Sequence, residues 1–162
     1  MAELTPLERV RAYYRDLNTG NPDKVARHFH PNANHYYTRL GPMRGAQSIG
    51  ELTEQGVKQL DASWHLENGI EQGDDVVIEW TMLWRDPRHD NVRRLDRGTE
   101  WFRVEGGLIT EVRAYHHSDD RNRQGDLVDF DHDGRGYTTL ERWDEVRERD
   151  GAGAEAAERV GS

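Results

Sequence analysis

The chain has 162 residues, 22 basic against 31 acidic side chains, a net charge of -9 and no cysteine. That length suits one domain, the missing thiols exclude a disulfide framework and thiolate chemistry, and the negative mean field disfavours nucleic acid or an anionic membrane as partner. No apolar run reaches the roughly 20 residues of a bilayer span and Met1–Val10 lacks a signal-peptide core, so a soluble, cytoplasmic protein is expected.

Thr5 opens the first helix, with Pro6 in its first turn and Glu8 three residues after the cap, the pattern of a capping box. Leu7, Val10, Tyr14 and Leu17 recur at helical spacing until Gly20. Asn21-Pro22 caps a second short helix carrying Val25 and Phe29, and a short strand is expected at Asn34–Arg39. A third helix begins near Gly45-Ala46 and shows Ile49, Leu52, Val57 and Leu60 on one stripe.

After Asp61 the period changes from 3.6 to 2. Ser63–Gln72, Asp75–Arg85, Val92–Glu105 and Leu108–His117 read as four long strands, with turns at Gly73-Asp74 and Gly106-Gly107. Helices followed by a meander predict an α+β domain, a cone-shaped curved antiparallel sheet packed on three N-terminal helices and enclosing a cavity. The domain is expected over residues 1–140, with a lid from about 118, and a charged helix with a disordered tail over 141–162.

Strand alternation predicts which side chains meet. Gly98, Glu100, Phe102 and Val104 share one face of their strand, and Val112, Ala114 and His116 share one face of the last. Glu100 and His116 are then lone ionisable groups among hydrophobes, an arrangement that shifts pKa values and marks candidate sites. The alternative for Glu100 is an exposed carboxylate paired across the sheet, and for Tyr13 plain core packing. Desolvation is expected to lift Glu100 above its ordinary pKa, because no basic residue shares its face between Gly98 and Val104. On the opposite face Trp101, Arg103, Arg113 and Tyr115 form a patch expected to make a homodimer.

Two metal patterns are weighed and set aside. His28-x-His30 flanks a helix end where solvated histidine is the ordinary reading, and the neighbours His116 and His117 point to opposite strand faces. The tail segment FDHDGRGYTTLER is like a calcium loop at Asp131, Asp133 and Gly136, but Arg135 and Arg142 stand where oxygen ligands are needed. No metal is expected. No organic cofactor is expected either, since no phosphate-binding glycine loop is present.

VRAYYRDLNTGNPDKVARHF, PNANHYYTRLGPMRGAQSI and GTEWFRVEGGLITEVRAYHH together resemble the nuclear transport factor 2-like superfamily, which includes SnoaL-like, ketosteroid isomerase-like and scytalone dehydratase-like proteins. The resemblance spans about Thr5 to Ser118. It implies that Tyr13 matches the isomerase's oxyanion-hole tyrosine and Glu100 its protonated acid, whereas Tyr37 replaces the general-base aspartate. Trp80 and Met82 stand where the epoxide hydrolases of the group carry an Arg-x-Asp, and Ala114 where an aspartate would be on the last strand. Tyr13, Tyr37 and His65 fall in places like those of the tyrosines and cavity histidine of scytalone dehydratase-like enzymes.

The catalytic candidates are therefore Tyr13, Glu100, His116 and His65, with Tyr13 and Glu100 holding an oxyanion and a histidine moving the proton. Tyr37, His35, Trp80, Met82, Phe102 and Ala114 are expected to bind substrate, joined by Arg135 and Tyr137 from the lid. The expected function is cofactor-free acid/base chemistry (isomerase, dehydratase or cyclase) on a small, largely apolar oxygenated molecule such as a polyketide or steroid-like compound. The alternative is a small-ligand-binding or dimerisation module of the same fold.

Overall fold

The computed structural model describes residues 3–116 and 125–153. His117, the first part of the expected lid and the tail beyond 153 lie outside the described residues. Helix α1 (Pro6–Leu17) starts at the expected capping box: the Glu8 amide donates to Thr5 Oγ1 and the Thr5 amide to Glu8 Oε2. Helix α2 (Pro22–Ala26) is capped by the Asn21 side chain, and α3 runs over Ala46–Leu60. Gly50 lets these two helices close on each other, since a Cβ there would run into the Pro22 backbone.

Six strands follow the expected order with three differences. Strand β1 covers Phe29–Tyr36, so Phe29 opens a strand instead of riding on the second helix. A two-residue strand β2 (Met43–Arg44) pairs with it. Then β3 (Ser63–Gln72), β4 (Asp75–Asp86), β5 (Val92–Glu105) and β6 (Leu108–Tyr115) form the meander, in the order β2-β1-β6-β5-β4-β3. The β1–β6 pair is parallel, so the sheet is mixed and not antiparallel throughout. Local alternation reveals that a strand exists, but not which edge of the meander it joins.

One face of the curved sheet packs on α1–α3. Val76, Ile78 and Trp80 of β4, Phe102 and Val104 of β5 and Val112 of β6 meet Val10, Tyr13, Tyr14 and Leu17 there. Fully burying each such side chain stabilises the fold by roughly 1.5–3 kcal/mol. Among the described residues no helix is long and apolar enough to cross a membrane.

The opposite, outer face is covered at one end by the C-terminal segment. Trp143 and Val146 of α4 (Trp143–Arg149) bury Leu83 and Leu95. Without that cover two core-type side chains would face water. The expected charged helix is present and packs on the folded body.

His65 lies on the same outer face, opposite Thr81. It is fully buried, its Nδ1 is 2.7 Å from Asp150 Oδ2, and its Nε2 is 2.9 Å from Ser63 Oγ, which also accepts from Arg147. Burial works to raise the Asp150 pKa, but the hydrogen bonds from His65 and Arg149 outweigh it and hold the carboxyl at about 2. Asp150→Asn should cost about 1–3 kcal/mol, the scale of a broken charge-assisted hydrogen bond. Amide exchange should speed up in Trp143–Arg149 while β6 stays protected; unchanged exchange in α4 would contradict the clamp.

Candidate functional site

The site is built by successive cross-strand rows on the helix-facing side of the sheet. In one row Ile78, Glu100 and Ala114 stand opposite each other on β4, β5 and β6. In the next, Trp80 stands opposite Gly98, and beyond that Met82 opposite Asp96. The only carboxylate in the first row is Glu100, which is 8% exposed.

Tyr14 of α1 reaches it: the phenol donates a 2.8 Å hydrogen bond to Glu100 Oε2. The other oxygen, Oε1, lies 3.8 Å from His35 Nε2, too far for a hydrogen bond. His35 is itself buried and stacked on Tyr37 at 4.0 Å between ring centroids, nearly parallel. Burial pushes the Glu100 carboxyl up to about 7, with the Tyr14 hydrogen bond pulling the other way. Burial pushes His35 down to about 3, so the ring is neutral at physiological pH. Burial and the nearby Glu100 raise the phenols of Tyr13, Tyr14 and Tyr37. The result is a carboxyl that exists in both protonation states near neutrality, surrounded by groups that do not titrate there.

Several sequence-predicted residues are thus gathered around Glu100, and others are not. Phe102 and Ala114 flank it on the sheet, with His35 and Tyr37 on the β1 side. Tyr13 is buried beside Tyr14 and near enough to Glu100 to feel its charge, with its ring edge-on to Phe29 at 4.9 Å and near Phe102 at 6.1 Å. The phenol that meets Glu100 is Tyr14, and the signal for it was the Leu7–Val10–Tyr14–Leu17 stripe. His65 is withdrawn to the outer face by Ser63 and Asp150. His116 is one row from Glu100, 5.6 Å from the Trp80 ring and 3.9 Å from Asp96 Oδ2.

Asp96 is the acid that sequence reading missed. Burial raises its pKa to about 6, with the positive charges of Arg39 and Arg94 pulling the other way. It continues the Glu100–Gly98 alternation, which is the signal that would have found it. Met82 beside it is half-buried against the core.

The described part of the expected lid does not close over Glu100; it lies along the outer face and the open edge of β5. Tyr137 donates to Glu79 Oε2 at 2.6 Å, the Thr138 amide donates to Glu67 Oε1, and Arg97 donates to the Thr138 carbonyl. Arg135 sits over the Phe130 ring at 4.6 Å. The acidic side chains on the outer strands supply acceptors for this segment, a pairing that alternation within single strands does not show. The Asp131 carboxylate accepts from the Gly134 amide inside the loop that is like a calcium site. His28 is buried, not solvated, with Nε2 2.6 Å from Asp16.

With that geometry in place, the comparisons identify the family. The sequence pattern of the SnoaL-like domain matches residues 10–112, and the chain belongs to that family. A protein of unknown function with a cystatin-like fold from Methylobium petroleophilum is 28% identical, covering 86% of this chain and 95% of its own, with a TM-score of 0.63. A Catenulispora acidiphila protein with a ketosteroid isomerase-like fold, in complex with trimethylamine, is 18% identical over 78% of this chain and 98% of its own, at a TM-score of 0.64. An LEH-like epoxide hydrolase from M. tuberculosis is 18% identical over 73% and 85%, at 0.61. No curated protein sequence gives a significant match. The shared fold is the α+β cone of the nuclear transport factor 2-like superfamily, with a curved, unclosed mixed sheet.

Two expectations follow from Glu100. Its pKa is higher folded than unfolded, so its contribution to stability is complete below about 4.5 and is lost as pH rises through about 7. Glu100→Gln should therefore gain stability relative to wild type across that window, by about 3 kcal/mol at most. Denaturant melts at pH 4.5 and 8 measure this, and an equal difference at both would contradict it. Tyr14→Phe removes the donor that favours the carboxylate, so Glu100 should ionise at higher pH, whereas Tyr13→Phe should leave it in place. Carbon-13 NMR of the two variants separates them.

Proposed function

We propose that the protein is an acid/base enzyme in which Glu100 carries the proton, acting without a cofactor on a small, largely apolar molecule with a carbonyl or hydroxyl group. The observation that carries this is the Glu100 carboxyl, buried, bonded by Tyr14 and balanced near neutral pH. A group with pKa near the working pH is the most effective proton carrier. When ionised, it removes a proton from carbon next to a carbonyl; when protonated, it returns the proton to another atom or to a leaving hydroxyl. Tyr14 holds Oε2, leaving Oε1 for the transfer, and neutral His35 and Tyr37 shape the wall on that side.

This differs from the expected division of labour. His65 is bonded to Asp150 and His116 lies a row away, which supports Glu100 as both acid and base in place of an oxyanion donor served by a histidine. Isomerisation, dehydration and cyclisation share this proton transfer, and polyketide or steroid-like compounds have the carbonyl and hydroxyl groups it needs. Trp101 and Tyr115 are 41% and 56% exposed on the outer face, with Arg113 over the Trp101 ring, and they support the homodimer reading.

The test is exchange of α-protons into deuterated water from 1-indanone and 2-tetralone, followed by NMR. Wild type should accelerate exchange of at least one, and Glu100→Gln should slow it by about 10²-fold or more, the usual scale of a general acid–base group. An unaccelerated wild type, or full activity in Glu100→Gln, would contradict the proposal.

A further inference from the structure

A buried amide ties three elements together at the end of α1. Asn18 is 1% exposed; its Oδ1 accepts from the Trp64 amide, and its Nδ2 donates to the carbonyls of Trp64 and Asp150. This clasp holds α1, β3 and the end of α4 around a hollow of about 140 Å³, lined by Arg11, Tyr14, Arg15, Trp64, Leu66 and Asp150. That volume is too small for a whole drug-sized molecule and suits one end of a small ligand.

The floor and the rim of the hollow differ in chemistry. Trp64 and Leu66 stand on the helix-facing side of β3, both half-buried, with Tyr14 beside them. Gly56 of α3 admits the far edge of the indole, since a Cβ there would fall 3.1 Å from Trp64 Cη2. Arg11 and Arg15 are one turn apart on α1 and exposed at the rim.

These two arginines are unlike the others. Among the described residues neither side chain makes a hydrogen bond, an ion pair or a ring contact, although the chain carries 31 acidic residues. By contrast Arg27, Arg97, Arg103 and Arg147 are each bonded to an aspartate. The acid inside the hollow is already taken: Arg149 binds both oxygens of Asp150, and His65 bonds Oδ2. Like charges one turn apart repel, and an anion between them removes that cost. A planar carboxylate matches the guanidinium fork.

We propose that this hollow binds a small organic acid, with its carboxylate between Arg11 and Arg15 and its apolar body against Trp64, Leu66 and the Tyr14 ring. The ligand class differs from the uncharged molecule proposed for Glu100. The site does not rest on that reading, since Glu100 does not line the hollow.

Three probes test it by proton–nitrogen NMR of the full chain at low salt: phenylacetate, 2-phenylethanol and acetate. Phenylacetate should give its largest shifts at the amides of 11–15 and 64–66, and not at 35–37 and 112–114 around Glu100. The alcohol has the ring without the charge and acetate the charge without the ring, so each should bind at least fivefold more weakly. Arg11→Gln and Arg15→Gln should each weaken phenylacetate about fivefold, the upper scale of one exposed ion pair. Both side chains are exposed, so the variants should melt like wild type. Either control probe binding as tightly as phenylacetate would overturn the proposal. So would shifts centred on 35–37 and 112–114, no shift at about 20 mM phenylacetate, a level that detects even a Kd weaker than millimolar, or undiminished binding in the double variant. The readout is binding and its location, not proton exchange, so this site and the acid/base proposal fail separately.

Discussion

A carboxyl group held out of water is the constraint around which the rest is arranged. Glu100 is buried in an otherwise apolar row of the sheet, and a charged carboxylate there would be strongly disfavoured. The protein supplies one phenol hydrogen bond and a neutral imidazole, not a cation. That choice leaves the proton free to come and go near pH 7. An arginine in place of Tyr14 would fix the charge and end the exchange.

The surrounding fold makes this position possible by dividing the sheet into two differently covered faces. Helices α1–α3 pack on the face that carries Glu100. On the other face α4 and the segment before it cover Leu83, Leu95 and Thr81, using Trp143, Val146 and the Ser63–His65–Asp150 chain of hydrogen bonds. Three side chains that resemble a catalytic set are thus a clamp: Ser63 is fully buried, and its hydroxyl already has Arg147 and His65 as partners. The described part of the C-terminal segment lies along the outer face and the sheet edge.

Much of this was legible in the chain because it depends on local spacing. Thr5-Pro6 and Glu8 fixed the start of α1, the alternation in 63–105 fixed three strands to within a residue, and Glu100 between Gly98 and Phe102 was recognisable as an acid on an apolar face. What escaped depends on non-local pairing. The parallel union of β1 with β6 cannot be seen in either strand alone. Two adjacent tyrosines differ by about 100° around the helix, and a family resemblance favoured Tyr13, whereas the apolar stripe favoured Tyr14. The resemblance that makes His65 a cavity histidine says nothing of Asp150, 85 residues away, to which its ring is bonded on the outer face. The lid was expected at the mouth, yet the acceptors that draw it outward, Glu67 and Glu79, are scattered over two strands.

The most direct measurement is a carbon-13 NMR titration of the Glu100 carboxyl in the wild-type protein. The account predicts ionisation near pH 7, with His35 remaining neutral throughout the range. A midpoint near 4.5, the ordinary value for a solvated glutamate, would show that the carboxylate is stabilised in its charged form and would remove the basis for proton transfer at this site.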